Sequence, residues 1–485
     1  MSSPSTTQPD TRFFGQPRPL ATLFSVELWE RFSFYGMQGI LLLYLYFSVA
    51  DGGLGIDQTT AAGIVGAYGG GVYLSTVLGA WVADRLLDSR RVLLISAVVV
   101  MLGHIALAAI PGVAGVAVGL IMIGLGSGGL KATATTLVGT LYAPGDTRRD
   151  AGFSLYYLGI NLGAFFGPIL TGLLQSTVGF HWGFGLAAVG MAAGLVQYAF
   201  GLKNLPDESR LVPNPLPRRL LPRVVVIALV GVAVIVAAVA FGLVTATNLA
   251  VVVIVVTALA AVAYFVVILS SRGISSDERS RVLAFVPLFL ASAVFWSIYQ
   301  QQFTVITIYS AERLDRSVFG WEFPISWVQS INPIFIIVLS GVFAALWTKL
   351  GARQPSTPVK FALGTGVVGL AFLLFLPFVG TGAHGTPVLA LVVILLVFTV
   401  AELLLSPVGL SAATKLAPER FRTQMVALFF LSVALGTSAS GVLAGFYDPA
   451  NEVPYFSVIG IVAVVVGALL LAASRPVLRL MRGVR

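Results

Sequence analysis

The sequence contains no cysteine, only three histidines and few charged residues, and each shortage excludes a class of protein. Without cysteine there is no disulfide, no thiolate catalysis and no Cys-ligated metal. The histidines, His104, His181 and His384, are scattered and cannot build a metal site by themselves. Charged residues make up 10% of the chain, whereas a soluble domain has about 25%. This excludes a soluble enzyme that merely carries a membrane anchor.

Apolar sequence dominates instead. Hydrophobic residues make up 57% of the 485 residues, and the mean hydropathy is +0.95. A membrane-spanning helix needs ~20 apolar residues, and fourteen runs approach or exceed that length. They cover about 21–47, 60–82, 92–110, 115–142, 151–175, 181–201, 223–245, 248–270, 282–309, 325–348, 359–379, 386–408, 424–445 and 455–474. Fourteen crossings place both termini on the same side of the membrane.

The distribution of positive charge gives the orientation. The net charge of +9 does not indicate nucleic-acid binding, because the cationic residues lie in short loops between apolar runs. With a cytoplasmic N-terminus, all but four of the 29 Lys and Arg residues lie on the cytoplasmic side; Arg313 and Arg316 lie outside, and Arg31 and Lys131 lie within the membrane. This asymmetry predicts both termini in the cytoplasm. The polar, Pro-rich start contains no cleavable signal peptide, so we expect the first span to direct insertion into the plasma or bacterial inner membrane.

The loops also predict the domain organisation. We expect a polar tail at 1–20, a six-helix bundle at 21–201, a cytoplasmic linker at 202–222, an inserted two-helix hairpin at 223–270, a second six-helix bundle at 281–474 and a basic cytoplasmic tail at 475–485. The hairpin is expected to turn tightly at Thr247 and Asn248. Two pseudo-symmetric bundles with a lipid-facing insertion are typical of rocker-switch transporters.

The first span carries three charges in the segment ELWERFSFYG. A charge at membrane depth costs roughly 2.5 kcal/mol or more, so these charges must neutralise one another and face protein or water. Glu27 and Arg31 are i,i+4 partners on one helical face. Glu30, Phe34, Tyr35 and Gln38 continue the same stripe. The pattern predicts a polar seam facing a cavity, and such a cavity inside a membrane indicates transport.

Two further charges lie at membrane depth, in the fourth span of each six-helix block. Lys131 follows GSGGL, and Glu402 precedes LLLSP. A cation from one half and an anion from the other are complementary to a zwitterion, with its carboxylate near Lys131 and its ammonium near Glu402. A buried Lys131–Glu402 salt bridge is the structural alternative. The buried carboxylates of the first span are candidate proton carriers, whereas we interpret His104 as a hydrogen-bonded packing residue.

Several motifs along both halves carry a resemblance to a known family. They are Glu27-x-x-Glu30-Arg31-Phe32-x-x-Tyr35-Gly36, Tyr73, the segment GAWVADR ending at Arg85, Gly128-Gly129-Leu130-Lys131, the segment FSLYYLGINLGAFFG around Asn161, Phe295-Trp296, Asn332-Pro333 and the segment AELLLSPVGL containing Glu402. Together they resemble the proton-dependent oligopeptide transporter family of the major facilitator superfamily.

The resemblance implies an all-α major facilitator fold and proton-coupled import of di- and tripeptides, with no cofactor beyond the coupling proton. It implies that Glu27, Glu30, Arg31 and Lys131 couple protonation to transport. It places the substrate carboxylate at Lys131, Arg31 and Tyr35, and the amino group at Glu402, Asn161 and Asn332. The side-chain pocket would include Tyr73, Trp296, Phe429 and Ser406.

Four positions depart from the family pattern. Many members have tyrosine, arginine, glutamate and tryptophan at or near the positions of Phe34, Gln38, Gln300 and Phe429. The arginine and glutamate are thought to pair in an extracellular gate. Because both are glutamine here, we predict that a Gln38–Gln300 hydrogen bond replaces the ion pair.

Two alternative functions stay open at this stage. One is a transporter of the same fold for another small solute, such as an amino acid derivative, nitrate or a drug; keeping both Lys131 and Glu402 favours a substrate with both charges. The other is a membrane-embedded enzyme or receptor. No Ser/His/Asp set, metal cluster or phosphate-binding loop supports it. We expect a monomer whose partners are peptides and the lipid bilayer, with no nucleic acid.

Overall fold

Long helices form nearly all of the regular structure. The structure, a computed structural model, describes residues 10–143 and 146–484, so residues 1–9 and 485 of the predicted tails lie outside it. The helices of the described residues are α1 Arg18–Tyr46, α2 Gln58–Arg85, α3 Ser89–Ala109, α4 Gly112–Gly139, α5 Arg149–Thr177, α6 Phe180–Gly201, α7 Leu221–Ala240, α8 Leu249–Ser270, α9 Ser276–Tyr299, α10 Val305–Glu312, α11 Ile331–Leu350, α12 Thr357–Leu373, α13 Val388–Leu416, α14 Arg422–Ala444, α15 Glu452–Ala472 and α16 Ser474–Leu480. Each of the fourteen predicted spans coincides with at least one helix.

Short strands occupy two loops. Strand β1 (Leu314–Asp315) pairs in parallel with β4 (Thr386–Pro387), and β2 (Ser317–Val318) pairs antiparallel with β3 (Trp321–Glu322). These two-residue strands lie in loops that connect helices, and they form no part of the core.

Length and hydropathy identify the membrane-spanning elements. Within the described residues, thirteen helical segments are long and apolar enough to cross a membrane. Helix α1 has 29 residues, more than the ~20 required, but Glu27, Glu30 and Arg31 lower its hydropathy. The remainder of α1 is apolar, and we count it as the fourteenth crossing. The predicted all-α membrane fold is confirmed.

The predicted span 282–309 is interrupted. Helix α9 ends at Tyr299, a 3-10 turn covers Gln300–Phe303, and α10 begins at Val305. The break frees backbone carbonyl groups, which side chains then satisfy: Gln301 Nε2 donates to Ser297 O at 3.1 Å, and Thr307 Oγ1 donates to Gln302 O at 2.9 Å. Broken helices persist at membrane depth only where such groups find partners. A count of apolar residues cannot detect the interruption.

The connection between α7 and α8 is longer than predicted. We expected a tight turn at Thr247 and Asn248, but residues 241–248 form a loop. Asn248 organises it, since its Oδ1 accepts from Thr245 N at 2.8 Å and its Nδ2 donates to Leu243 O at 3.0 Å. No residue of α7 is buried, whereas α8 packs on α14. The exposed, Val-rich surface of α7 suits contact with lipid.

Packing divides the chain into two compact units. The first contains residues 10–37, 75–171 and 181–222, and the second contains residues 38–74, 172–180 and 223–484. The predicted division into bundles at 21–201 and 281–474, with the hairpin 223–270 between them, stays a prediction.

In the first unit, glycines let helices approach closely around the charged segment of α1. A Cβ on Gly163 of α5 would lie 2.3 Å from Leu28 O of α1, and a Cβ on Gly79 of α2 would lie 2.5 Å from the Cα of Gly129 in α4. Small residues permit such approach between membrane helices. The contact at Gly163 places α5 beside Glu27. The contact at Gly79 holds α2 against α4 at Gly129, two residues before Lys131.

In the second unit, Glu402 lies on α13 and receives hydrogen bonds from residues of α9 and α11. Helix α13 passes through Pro407 without ending. Ser292 of α9 and Ser432 of α14 share a hydrogen bond of 2.7 Å. Helix α11 packs against α13, and this contact brings Asn332 towards Glu402.

We predict opposite effects for alanine at two glycines of α2. Gly79→Ala introduces a Cβ against the backbone of Gly129, which cannot move aside, and overpacking typically costs 1–3 kcal/mol, so roughly that loss is expected. A Cβ on Gly71 would meet no neighbouring atom within 4 Å, and alanine favours a helix over glycine by about 1 kcal/mol. Thermal unfolding in detergent should show a lower midpoint for Gly79→Ala and an unchanged or higher one for Gly71→Ala. Equal midpoints would contradict the close packing of α2 on α4.

Candidate functional site

The charged segment of α1 forms a buried ion-pair cluster. Arg31 Nε lies 2.8 Å from Glu27 Oε1 and 3.1 Å from Glu30 Oε2. Glu27 and Glu30 are 1% and 0% exposed, and Arg31 is 8% exposed. The predicted i,i+4 pair is present, and the guanidinium serves both carboxylates. One cation therefore holds two buried anions in place.

A tyrosine from α5 completes the coordination of Glu27. Tyr156 Oη donates to Glu27 Oε2 at 2.6 Å, so the two carboxylate oxygens have different partners, Arg31 and Tyr156. The sequence alone does not single out Tyr156. Tyr156 lies in the FSLYYLGINLGAFFG segment, which the sequence marks as a family motif. Which of its two adjacent tyrosines contacts Glu27 depends on the packing of α5 against α1.

Lys131 lies beside the same cluster, next to Phe34. Its Nζ lies 5.0 Å from the centre of the Phe34 ring, and Arg31 Cζ lies 6.0 Å from the same centre. Lys131 also interacts electrostatically with Glu30 and Glu27. Both distances are within the range of cation–π attraction. Phe34, which the sequence placed on the stripe of the first span and marked as a departure from the family pattern, contacts both Arg31 and Lys131.

The charges in this cluster balance. Glu27 and Glu30 supply two negative charges, and Arg31 and Lys131 supply two positive charges. We call these four residues the charge-balanced cluster. A neutral group of charges is far less costly to bury than one with a net charge. Binding an additional anion here would leave a net negative charge, which a proton on one carboxylate would offset.

The second unit contains a carboxylate held by neutral groups. Tyr299 Oη donates to Glu402 Oε2 at 2.5 Å, and Asn332 Nδ2 donates to the same oxygen at 3.3 Å. Asn332 is oriented by Thr399, whose Oγ1 accepts from Nδ2 at 2.9 Å. We call Glu402, Tyr299 and Asn332 the carboxylate site. Among the described residues of this unit, no cationic side chain forms an ion pair with Glu402, so its charge is available to a cationic ligand.

An indole adjoins the carboxylate site. The Trp296 ring lies 5.3 Å from that of Tyr299 in an edge-on arrangement. Its Nε1 is buried and has no hydrogen-bond acceptor among the residues that the structure describes. Buried donors in native proteins nearly always have a partner. The unpaired N–H is therefore a position where a ligand acceptor can bind.

The other predicted site residues are distributed over both units. Asn161 belongs to the first unit, where its Nδ2 donates to Tyr157 O at 2.9 Å. Tyr35 packs edge-on against Phe34 at 5.3 Å. Tyr73 and Ser406 are half-buried in the second unit, and Phe429 is buried against Gly409. Within the second unit, Asn332 lies beside Glu402. The roles predicted for all of these residues stay predictions.

Two residues for which we predicted hydrogen bonds have buried side-chain atoms without a partner among the described residues. Gln38 Oε1 is one of these atoms, so a Gln38–Gln300 hydrogen bond would have to be donated by Gln38 Nε2, and it stays a prediction. The gating role of the two glutamines stays a prediction. His104 is fully buried, as a packing residue should be, but neither ring nitrogen has a partner within the described ranges. The expectation that it is hydrogen-bonded was wrong.

Known proteins show similarity over nearly the whole chain. The family model described as "PTR2: POT family" matches residues 90–462. A di-/tripeptide transporter of Lactococcus lactis subsp. cremoris is 41% identical, over 98% of each chain. The uncharacterised transporter YclF of Bacillus subtilis (strain 168) is 42% identical, over 98% of this chain and 97% of its own. The crystal structure of peptide transporter POT in complex with sulfate superimposes with a TM-score of 0.94 at 43% identity, covering 98% of each chain.

The charge-balanced cluster predicts a large stability effect for its arginine. Arg31→Met leaves two buried carboxylates with a single cation, and removing one partner of a buried ion pair costs roughly 3–5 kcal/mol. Arg422→Met is a suitable control, because its pair with Glu419 is exposed and spans 3.8 Å, and such pairs contribute about 1 kcal/mol at most. Thermal unfolding in detergent should show a large loss for Arg31→Met alone.

A second substitution tests the cause of this loss. Glu27→Gln added to Arg31→Met removes one uncompensated charge and should restore part of the stability. If the double variant is as unstable as Arg31→Met, packing of the arginine side chain, and not charge balance, accounts for the effect.

Proposed function

The chain belongs to the POT family, and from this membership we propose that it imports di- and tripeptides together with protons by alternating access. Its relatives are transporters and not enzymes, and its apolar helices make it a multi-pass protein of the cell membrane. No metal or organic cofactor is required for this activity. Because one chain carries both the charge-balanced cluster and the carboxylate site, we propose that a monomer transports.

The charge-balanced cluster and the carboxylate site differ in net charge, and this difference supports the proposal. A peptide at neutral pH has an anionic end and a cationic end. Arg31 and Lys131 are the intramembrane cations, and they bind the peptide carboxylate. Glu402 is a carboxylate with neutral hydrogen-bond partners, and it binds the peptide ammonium. Asn332 and Tyr299 orient Glu402, and the unpaired Trp296 N–H accommodates a substrate acceptor.

Proton coupling follows from charge balance. When the peptide carboxylate binds to Lys131 and Arg31, the charge-balanced cluster acquires a net negative charge. A proton on Glu27 or Glu30 restores neutrality and weakens that residue's hold on Arg31, so the guanidinium can turn to the substrate. Release of the proton to the cytoplasm restores the original pairs. Peptide and proton consequently move together, in the inward direction.

We predict uptake of dialanine into liposomes that is driven by an inward proton gradient. Lys131→Ala should reduce the rate about tenfold or more, since a hydrogen bond to a charged group contributes about 1.5–3 kcal/mol. Lys349→Ala, an exposed lysine near the end of α11, is the matched control and should retain wild-type uptake. An absence of gradient-driven uptake across a panel of di- and tripeptides would contradict the proposed substrate class.

The same assay separates a peptide transporter from a carrier of simple anions. N-acetyl-dialanine lacks the ammonium group and should compete weakly with dialanine in the wild type. In the Glu402→Gln variant, N-acetyl-dialanine and unlabelled dialanine should inhibit the uptake of labelled dialanine about equally. If N-acetyl-dialanine competes strongly in both the wild type and Glu402→Gln, Glu402 takes no part in substrate recognition.

We predict that substitution of Glu27 or Glu30 abolishes proton coupling but preserves peptide binding. Glu27→Gln and Glu30→Gln cannot exchange a proton, so both should lose gradient-driven accumulation while keeping exchange of labelled for unlabelled dialanine across the membrane. Glu419→Gln, with an exposed side chain, should retain both activities. Gradient-driven accumulation that survives in both glutamine variants would contradict the coupling role of this cluster.

A further inference from the structure

A basic cavity opens at one end of the first unit, apart from the groups proposed to act in transport. Its volume is about 520 Å³, and its wall includes Arg90, Arg91, Lys203 and Arg210 together with one carboxylate, Asp88. The remainder is lined by apolar side chains: leucines at positions 86, 87, 94 and 202, and Val212. Volumes of roughly 300–1,000 Å³ are typical of small-molecule sites. We call this space the basic cavity.

The linker between α6 and α7 builds one wall of the basic cavity and is held firmly. Asn214 N donates to Asp84 O at 3.0 Å, and Leu216 N donates to Arg85 O at 2.9 Å. The buried Arg90 guanidinium donates to Leu205 O, Ser209 Oγ and, at 2.6 Å, Pro206 O. The loop therefore keeps a defined shape against the ends of α2 and α3.

The cations of the cavity are incompletely neutralised. The acceptors of Arg90 are all neutral oxygens, and among the described residues no carboxylate forms an ion pair with Arg90 or Lys203. Arg91 pairs with Asp88 at 3.3 Å, but its side chain is 72% exposed. Arg210 pairs with Asp207 at 3.4 Å, and both are exposed. Exposed pairs are weak, so an incoming anion can recruit these side chains.

The position of the cavity identifies the anion. It lies where α2 and α6 end and α3 begins, on the side that the distribution of Lys and Arg assigns to the cytoplasm. The adjoining surface of α3 presents exposed apolar side chains, including Ile95 and Leu102. Phospholipid headgroups lie at this depth, and their acyl chains can follow such a surface. Basic pockets between helices on the cytoplasmic side bind anionic headgroups.

We propose that the basic cavity binds the phosphate group of an anionic phospholipid of the cytoplasmic leaflet. Arg91 and Arg210 contact the phosphate oxygens, because guanidinium groups match phosphate geometry, and Lys203 adds the charge of its ammonium group. Arg90 supplies charge from the wall while it holds the linker. The apolar residues of the cavity and of α3 contact the glycerol backbone and the first carbons of an acyl chain.

Native mass spectrometry of the full-length, delipidated protein tests this site with phosphatidylglycerol and phosphatidylcholine. The wild type should retain phosphatidylglycerol preferentially. The triple variant Arg91→Gln/Lys203→Gln/Arg210→Gln should bind it about tenfold more weakly or worse, since each cation near a lipid surface contributes about fivefold. The matched variant Lys349→Gln/Arg353→Gln/Arg475→Gln loses the same charge from exposed positions outside the cavity. It should change the affinity less than about twofold, given the screening of distant charges.

Two further measurements keep the outcome decisive. Lys203 forms no ion pair with a described carboxylate, so the single variant Lys203→Glu breaks no ion pair and should fold normally. The reversed charge should still weaken phosphatidylglycerol binding. Inorganic phosphate is tested separately: if it binds at the cavity and displaces the lipid at low millimolar concentration, the site is one for free phosphate. Equal lipid retention by wild type, cavity variant and matched variant would overturn the proposal. Because transport is not measured, these results are independent of the proposed transport function.

Discussion

Burial of Glu27, Glu30 and Arg31 inside a membrane helix is the constraint on which much of this structure depends. Water cannot solvate these charges at that depth, so the protein must supply counter-charges and hydrogen bonds. Arg31 contacts both carboxylates, and Tyr156 satisfies the remaining oxygen of Glu27. The two ion pairs of Arg31 lie within α1, whereas the hydrogen bond from Tyr156 requires α5 at close range. The chemistry of α1 therefore requires α5 to pack tightly against it.

Glycine makes that proximity possible. Gly163 brings α5 against the backbone of α1, and Gly79 brings α2 against Gly129 of α4, just before Lys131. The result is a neutral group of four charges whose balance is sensitive to a single proton or a single bound carboxylate. Glu402 is held differently, by Tyr299 and Asn332, which orient it without neutralising it. The first unit therefore holds buried charges that compensate one another, and the second unit holds a carboxylate that its described hydrogen-bond partners leave uncompensated.

Much of the fold could be predicted from the sequence, because the bilayer imposes a minimum length on apolar segments and an asymmetry on loop charges. Most predicted span ends lie within about six residues of a helix end, but α13 continues to Leu416, eight residues beyond the predicted end at 408. The break after α9 was not visible, because the segment from Gln300 to Thr304 loses no hydropathy. Its backbone leaves the helical path, and side-chain donors satisfy the freed carbonyl groups. The loop before α8 was misjudged for a similar reason, since Asn248 organises it through hydrogen bonds to Thr245 and Leu243.

The sequence by itself determined which residues carry intramembrane charge, because a charge in an apolar run is costly wherever the run is placed. It determined the Glu27–Arg31 pair, because helical periodicity places residues i and i+4 on one face. Only the tertiary structure decided that Tyr156, Phe34, Tyr299 and Thr399 complete the two sites. These contacts join side chains from different helices, and their distances depend on interhelical packing that no local pattern encodes. The same holds for the basic cavity, whose cations come from segments more than a hundred residues apart in the chain.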